Sequence, residues 1–143
     1  MRAARAVCET DGAMSDPSTA RAISPDLAPK AIGPYSQAIV ANGFVFCSGQ
    51  IPLDPATMQL VSAEPRAQIH QVFRNLRAVA AAGGGTLDQA VKVTVFLTDL
   101  AHFPLVNEIM AEYFTEPYPA RAAVGVAALP RGALVEIEAI LSL

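Results

Sequence analysis

The sequence predicts an α+β fold in which a single mixed β-sheet carries two helices packed on one face. Two stretches place apolar residues at helical spacing, and runs rich in β-branched residues precede, separate and follow them. The predicted order is therefore β-β-(β)-α-β-α-β-β, which is typical of one sheet with its helices on the same side. At 143 residues, the chain has the length of one domain with a sizeable core.

The N-terminal segment, residues 1–26, differs in composition from the rest of the chain. It is rich in Ala, Ser, Asp, Arg and Pro, and its apolar residues follow no period. Such a segment buries too little apolar surface to order itself, so we expect a disordered leader. The folded domain is expected over residues 27–143.

The first two strands are predicted on either side of Asn42-Gly43. This dipeptide is the strongest short signal for a two-residue hairpin turn, and apolar runs over residues 36–41 and 44–48 flank it. We therefore expect two antiparallel strands at the start of the sheet.

The first helix is predicted after a possible short strand near Leu60. Its apolar residues recur at helical spacing, and Gly83 ends the pattern as a helix stop. The inward stripe of this helix consists of Ile69, Val72, Phe73, Leu76 and Val79.

A β-branched strand over residues 91–98 separates the two helices, and Asp99 begins the second. Pro104 is compatible with that helix because it falls in the first turn. The inward stripe consists of Phe103, Val106, Met110, Tyr113 and Phe114.

The last two strands, over residues 121–127 and 133–143, are expected to form a hairpin that turns at Pro130-Arg131. Its register pairs Gly125 with Glu136 and Ala123 with Glu138, and it places Arg121 diagonally across from Glu138 on the same face. Val124, Val126, Val135, Ile137 and Ala139 would then point toward the helices.

The second face of the sheet is predicted to be apolar as well. Val93 and Val95 fall on one side of their strand and Phe96 on the other. Because the helices cover one face only, we expect another subunit to cover the second, with binding pockets between subunits.

Arg121 heads the otherwise small and apolar run "YPARAAVGV". In one interpretation it forms a surface ion pair with a glutamate of the neighbouring strand. In the other, Ala123 and Gly125 leave a hollow beside a planar cation that binds a small carboxylate. The residues alone leave both interpretations open.

Composition argues against several other classes of function. The net charge of −3 comes without basic clusters, so no nucleic-acid partner is expected. The absence of a long apolar run argues against membrane insertion, and we expect a cytoplasmic protein. Cys8 and Cys47 provide no disulfide framework, and neither His70 nor His102 shows metal-ligand spacing, so no metal site is expected.

Four ordered motifs resemble the reactive intermediate deaminase family (RidA/YjgF) across most of residues 27–143. They are "APKAIGPYSQAI", "SGQIPLDP", "VKVTVFLTDLAHF" followed by "VNE", and "PYPARAAVGVAALPRGALVEIEAI". The resemblance implies a homotrimer of chorismate-mutase-like subunits. It also implies hydrolysis of 2-enamino and 2-imino acids, such as 2-aminoacrylate and 2-iminopropanoate, to 2-keto acids and ammonia without a cofactor.

The resemblance also implies roles for individual residues. The catalytic pair would be Arg121, which binds the substrate carboxylate, and Glu136, which orients water. The remaining substrate-binding positions would be Tyr35, Ser48, Gly49, Asn107 and Ala123. Some members of the family carry cysteine at the position of Ala123. The register of the predicted hairpin instead favours Glu138 as the partner of Arg121.

Two other functions stay open at this point. A non-catalytic trimer of the same fold would bind small carboxylates or a protein partner, since a fold does not fix a function. A ribonuclease, an activity reported for relatives, is disfavoured because the sequence has no basic surface.

Overall fold

A six-stranded mixed sheet forms the centre of the computed structural model, which describes residues 19–143. The strands are β1 (Arg21–Ile23), β2 (Ala38–Ala41), β3 (Phe44–Gln50), β4 (Ala90–Leu97), β5 (Ala120–Gly125) and β6 (Val135–Ser142). The helices are α1 (Pro65–Ala82) and α2 (Phe103–Tyr113). The strand order across the sheet is β1-β2-β3-β6-β4-β5. The predicted α+β architecture, with one mixed sheet and two helices, is confirmed.

The β2–β3 hairpin forms as predicted around Asn42-Gly43. Both turn residues have positive φ, 51° and 77°, which a two-residue hairpin turn of this kind requires. The pairing runs from Ala41 opposite Phe44 to Ala38 opposite Cys47. Beyond Cys47 the register of β3 against β6 shifts before it resumes at Gln50, so β3 ends in an irregularity.

β1 lies within the segment that was predicted to be disordered. Arg21–Ile23 pairs antiparallel with β2, and Ile23 is buried. For these residues the prediction is wrong, because backbone pairing with the edge of β2 supplies the order that composition does not. Residues 1–18 of the predicted leader lie outside the described residues.

The predicted helices bury their apolar stripes against the sheet. In α1 the stripe from Ile69 to Val79 is buried, and Gly83 follows the last helical residue as predicted. In α2 the buried residues are Val106, Ile109 and Met110, and a short 3₁₀ turn over residues 100–102 precedes the helix. Neither helix among residues 19–143 is long and apolar enough to span a bilayer.

The predicted hairpin between the last two strands is wrong. β5 pairs in parallel with β4, whereas β6 lies between β3 and β4 and is antiparallel to both. The segments β4, α2 and β5 form a crossover unit, which places β5 on the outer side of β4. The connection over residues 126–134 then carries the chain to the other side of β4.

This topology puts Arg121 and the two glutamates on opposite faces of the sheet. Arg121 pairs with Val93 of β4, whose side chain is fully buried on the helix face. Glu136 instead lies opposite Phe96, and Glu138 lies opposite Thr94. The predicted diagonal contact between Arg121 and Glu138 is therefore absent, since alternation sends their side chains to different faces.

The same alternation corrects Val124 and Ala123. Val124 lies opposite Phe96, so it faces away from the helices, contrary to the prediction, and is 40% exposed. Ala123 lies opposite Val95 and packs against the core on the helix face.

The second face of the sheet carries large apolar side chains that remain accessible in the single chain. Phe44 and Phe46 are 39% and 44% exposed, and their rings lie 6.2 Å apart. Val124 lies on the same face at the outer strand β5, and β6 and β4, with Glu138 and Thr94 on this face, separate it from the two phenylalanines. We call these three residues the open apolar face.

Candidate active site

A cavity of about 410 Å³ brings together five of the residues that the sequence singles out: Tyr35, Ser48, Gly49, Glu136 and Glu138. We call it the Glu136 cavity. Pro29, Lys30 and Ile32 of the loop before β2, the end of β3, and Ile51 and Leu53 also line it. Its apolar walls beside a carboxylate suit a small organic substrate with a polar reacting centre.

Gly49 allows the Glu136 carboxylate to lie directly against the backbone of β3. A Cβ atom built at Gly49 would lie 2.9 Å from Cδ and 3.1 Å from Cγ of Glu136. Both distances are too short for a side chain to fit without displacing the carboxylate. The "SGQ" motif therefore has a steric reason for glycine, which the sequence alone does not reveal.

Glu136 is half-buried, and its surroundings disfavour its charged form. Burial raises the pKa of the Glu136 carboxyl above its usual value, and the negative charge of Glu138 raises it further. Neither of the two ion pairs among residues 19–143 includes Glu136. A carboxyl group with a raised pKa in a cavity is suited to hold a proton and return it during a reaction.

Hydrogen bonds hold the Tyr35 loop against β3. The Ser48 hydroxyl donates to the Ser36 carbonyl at 2.5 Å, and the Ser48 N–H donates to the Gln37 carbonyl at 3.0 Å. Tyr35 accepts a bond of 3.2 Å from the Ile32 N–H, and its ring remains 48% exposed. Ser48 thus positions the cavity wall through contacts with the backbone.

Gln37 is a cavity residue that the sequence analysis missed. It is 4% exposed, and its Nε2 donates to the Pro29 carbonyl at 2.6 Å, with longer contacts to the carbonyls of Ala28 and Pro25. These bonds fix the loop that carries Tyr35. A glutamine inside a short apolar strand was the available signal, since a buried amide needs partners.

Arg121 lies in a separate groove of about 430 Å³ on the helix face, formed mainly by α2 and residues 118–121. We call it the Arg121 groove. Nη1 donates to Asn107 Oδ1 at 2.6 Å, and the guanidinium carbon lies 4.9 Å from the centre of the Phe103 ring. Met110 Sδ lies 3.7 Å from the same nitrogen. Asn107 and Phe103 therefore orient the guanidinium plane.

The Arg121 guanidinium makes no ion pair with any carboxylate of residues 19–143. The interpretation of Arg121 as one half of a surface ion pair within the chain is therefore wrong. A guanidinium that is oriented but has no anionic partner among residues 19–143 is suited to bind an external carboxylate.

Cys47 belongs to the core on the helix side of the sheet. Burial raises the pKa of its thiol to about 12, so the thiol stays protonated at neutral pH. Among the described residues, no group of three His, Cys, Asp or Glu side chains is placed to hold a metal ion.

Comparison with known proteins identifies the family. The model of the family described as Endoribonuclease L-PSP matches residues 26–142. Protein DfrA of Myxococcus xanthus is 56% identical over 122 residues, which cover 84% of this chain and 93% of that protein. The human 2-iminobutanoate/2-iminopropanoate deaminase is 46% identical over 120 residues, covering 84% of this chain and 88% of that protein.

A solved structure agrees with the sequence comparisons. The crystal structure of RidA from the Antarctic bacterium Psychrobacter superposes with a TM-score of 0.84 and 50% identity, covering 86% of this chain and 99% of that chain. Since the family model matches most of the chain and the relatives align over nearly their whole length, the chain belongs to the endoribonuclease L-PSP family, also called the RutC/YjgF/RidA family.

Proposed function

We propose that this protein hydrolyses 2-enamino and 2-imino acids to 2-keto acids and ammonia. The observation that carries the proposal is the division of the site. An oriented guanidinium with no anionic partner in the described part of the chain lies on one face, and a carboxyl group with a raised pKa lies in an apolar cavity on the other. A 2-imino acid has a carboxylate that the Arg121 guanidinium can bind. It also has an imine carbon that reacts with water, and the Glu136 carboxyl group can serve that reaction.

The proposed site lies between subunits. Arg121 and Glu136 lie on opposite faces of the sheet in one chain, so one chain does not assemble a site from both residues. In a homotrimer the Arg121 groove of one subunit would meet the Glu136 cavity of the next, and each interface of the ring would hold one site. The open apolar face supports this assembly, since exposed apolar surface of this kind marks an interface.

The hydrolysis needs few catalytic groups. Arg121 would bind the carboxylate of the protonated imine, and Glu136 would accept a proton from water as its oxygen attacks the imine carbon. The C–O bond forms while the C=N electron pair moves to nitrogen, which gives a carbinolamine. Glu136 then donates the proton to this nitrogen. The C–N bond breaks as the hydroxyl group loses its proton to Glu136, and ammonia and the keto acid leave.

The activity for which a relative is named supports the same chemistry. The human relative is named a 2-iminobutanoate/2-iminopropanoate deaminase, and the similarity to it extends over 84% of this chain. The members of the candidate pair, Arg121 and Glu136, both lie within the region that matches the family model.

The direct test couples the purified protein to a source of imino acids. An L-amino acid oxidase or a pyridoxal-phosphate dehydratase generates the imino acid, semicarbazide traps what remains, and keto-acid release is timed. We expect release to accelerate in proportion to the protein added. A rate equal to that of water alone, with retained binding of small carboxylates, would favour the non-catalytic alternative.

Complementation between two inactive chains tests the shared site. If each site takes Arg121 from one subunit and Glu136 from the next, random mixing of Arg121→Ala and Glu136→Gln chains should restore about a quarter of parental activity. Refolding the two variants together allows exchange, and light scattering checks that the product is a trimer. Mixed trimers without restored activity would mean that one subunit supplies both residues.

A further inference from the structure

We propose that Arg131 is a positioning residue that fixes one apolar wall of the Glu136 cavity and thereby sets which substrate side chains fit. This inference rests on the proposed function only in assuming that the cavity receives the substrate's side chain. Nη1 of Arg131 donates to the Met58 carbonyl at 2.8 Å. The bond joins two segments that are distant in sequence, and we call it the Arg131–Met58 latch.

Both partners of the latch adopt a backbone conformation that their side chains disfavour. Met58 has a φ of 60° and Arg131 a φ of 57°, in the left-handed region that glycine and asparagine tolerate best. Non-glycine residues stay there only when surrounding contacts hold them, and such residues cluster at functional sites. A single hydrogen bond joins the two strained residues.

The latch lies next to the cavity wall. Pro130, which precedes Arg131, lines the Glu136 cavity together with Leu53. Leu53 begins a compact turn, residues 53–60, which a single bridge between Leu53 and Leu60 closes. The Met58 side chain packs against the buried cluster of Ile51, Leu53 and Ala133. The two latched segments thus each supply part of one apolar wall.

Buried amides fix the bases of the same two segments to α1. Asn75 Nδ2 donates to the carbonyls of Ile51 and Leu53 at 3.2 Å and 3.0 Å. Gln68 Oε1 accepts from the Leu134 N–H at 2.9 Å. The bases are therefore held from the protein interior, whereas the latch at the tips is exposed. Removing it should loosen the wall without unfolding the domain.

The test compares Arg131→Asn with Arg131→Lys. Asparagine tolerates the left-handed conformation but does not reach Met58, whereas lysine keeps a donor on a long side chain. Calorimetry measures the binding of pyruvate, 4-methyl-2-oxopentanoate and phenylpyruvate. The control for lost positive charge is Arg74→Gln, because Arg74 is an exposed arginine on α1. These keto acids report side-chain discrimination without requiring turnover.

We expect the parent to discriminate among the three keto acids by side-chain size. In Arg131→Asn the ratio of the largest to the smallest Kd should be about fivefold smaller than in the parent, and therefore closer to one. This is the size of effect expected from losing one exposed hydrogen bond. Arg131→Lys and Arg74→Gln should keep the parental ratio. The proposed role of the latch would be refuted if the parent bound all three keto acids equally well. It would also be refuted if the Kd ratio of Arg131→Asn equalled that of the parent.

This experiment separates the latch from the proposed function. A protein that discriminates among keto acids through Arg131 but hydrolyses no imino acid would refute the proposed function and leave the latch standing. An active deaminase whose Arg131→Asn variant weakens binding of all three acids equally would support the function and refute the latch.

Discussion

Arg121→Lys is expected to fold and assemble normally, yet to lower kcat/KM toward 2-imino acids by about 10²-fold, because small misplacements of a substrate can cost that much. Lysine keeps the positive charge but offers a single mobile contact instead of a planar fork. Asn107 and Phe103 orient the guanidinium plane, and an ammonium group would not preserve this geometry. Steady-state kinetics with enzymatically generated imino acids measures the loss.

Arg77 offers a matched control for this substitution. Its guanidinium carbon lies 5.5 Å from the centre of the Tyr113 ring, so it is also an arginine over an aromatic ring, but it lies on α1 away from both halves of the site. Arg77→Lys should leave kcat/KM at the parental level. Melting temperatures of both variants should stay close to the parent, since a stacking contact of this kind contributes only about 0.5–1 kcal/mol. Near-parental turnover by Arg121→Lys would refute the carboxylate-binding role.

Glu136→Gln is expected to lower kcat by about 10²- to 10⁴-fold, the usual contribution of general acid–base catalysis. Glutamine keeps the shape of the side chain beside Gly49 but accepts no proton at neutral pH. Glu138→Gln is the comparison, since Glu138 is exposed and acts on Glu136 through its charge. We expect Glu138→Gln to lower kcat only a few-fold. Its pH profile should move to lower pH, because removing the charge of Glu138 lowers the pKa of Glu136. A larger loss in Glu138→Gln would assign the proton transfer to Glu138.

The stability of Glu136→Gln distinguishes a chemical loss from a folding defect. Because burial raises the pKa of Glu136 in the folded state, the stability that its protonated form contributes is complete below the unfolded pKa of about 4.3 and is lost as the pH rises through the folded pKa. At neutral pH the glutamine variant should therefore melt no lower than the parent. Any difference in melting temperature that comes from this titration should vanish well below pH 4, where Glu136 is protonated in both states.

Local sequence patterns determined most of the secondary structure. The Asn42-Gly43 turn, the apolar stripe of α1 and its stop at Gly83 depend on residues that are close in sequence, so their periodicity and turn chemistry predict them. The motif resemblance also identified Tyr35, Ser48, Gly49 and Glu136, which the structure brings to one cavity.

Local sequence patterns did not predict the order of the strands in the sheet. The sequence places β5 and β6 next to each other, and a turn at Pro130-Arg131 was a reasonable hairpin prediction. The actual neighbours follow from the crossover: α2 returns the chain so that β5 lies parallel to β4, and β6 pairs with β3 and β4 instead.

The sequence by itself therefore determined the family, the types of element and the residues of the candidate site, since these depend on local patterns and on motifs read along the chain. Only the tertiary structure decided that Arg121 and Glu136 lie on opposite faces of the sheet. The physical reason is the period of two along a strand: which residues share a face depends on pairing partners that are distant in sequence, and a different partner strand changes the whole arrangement.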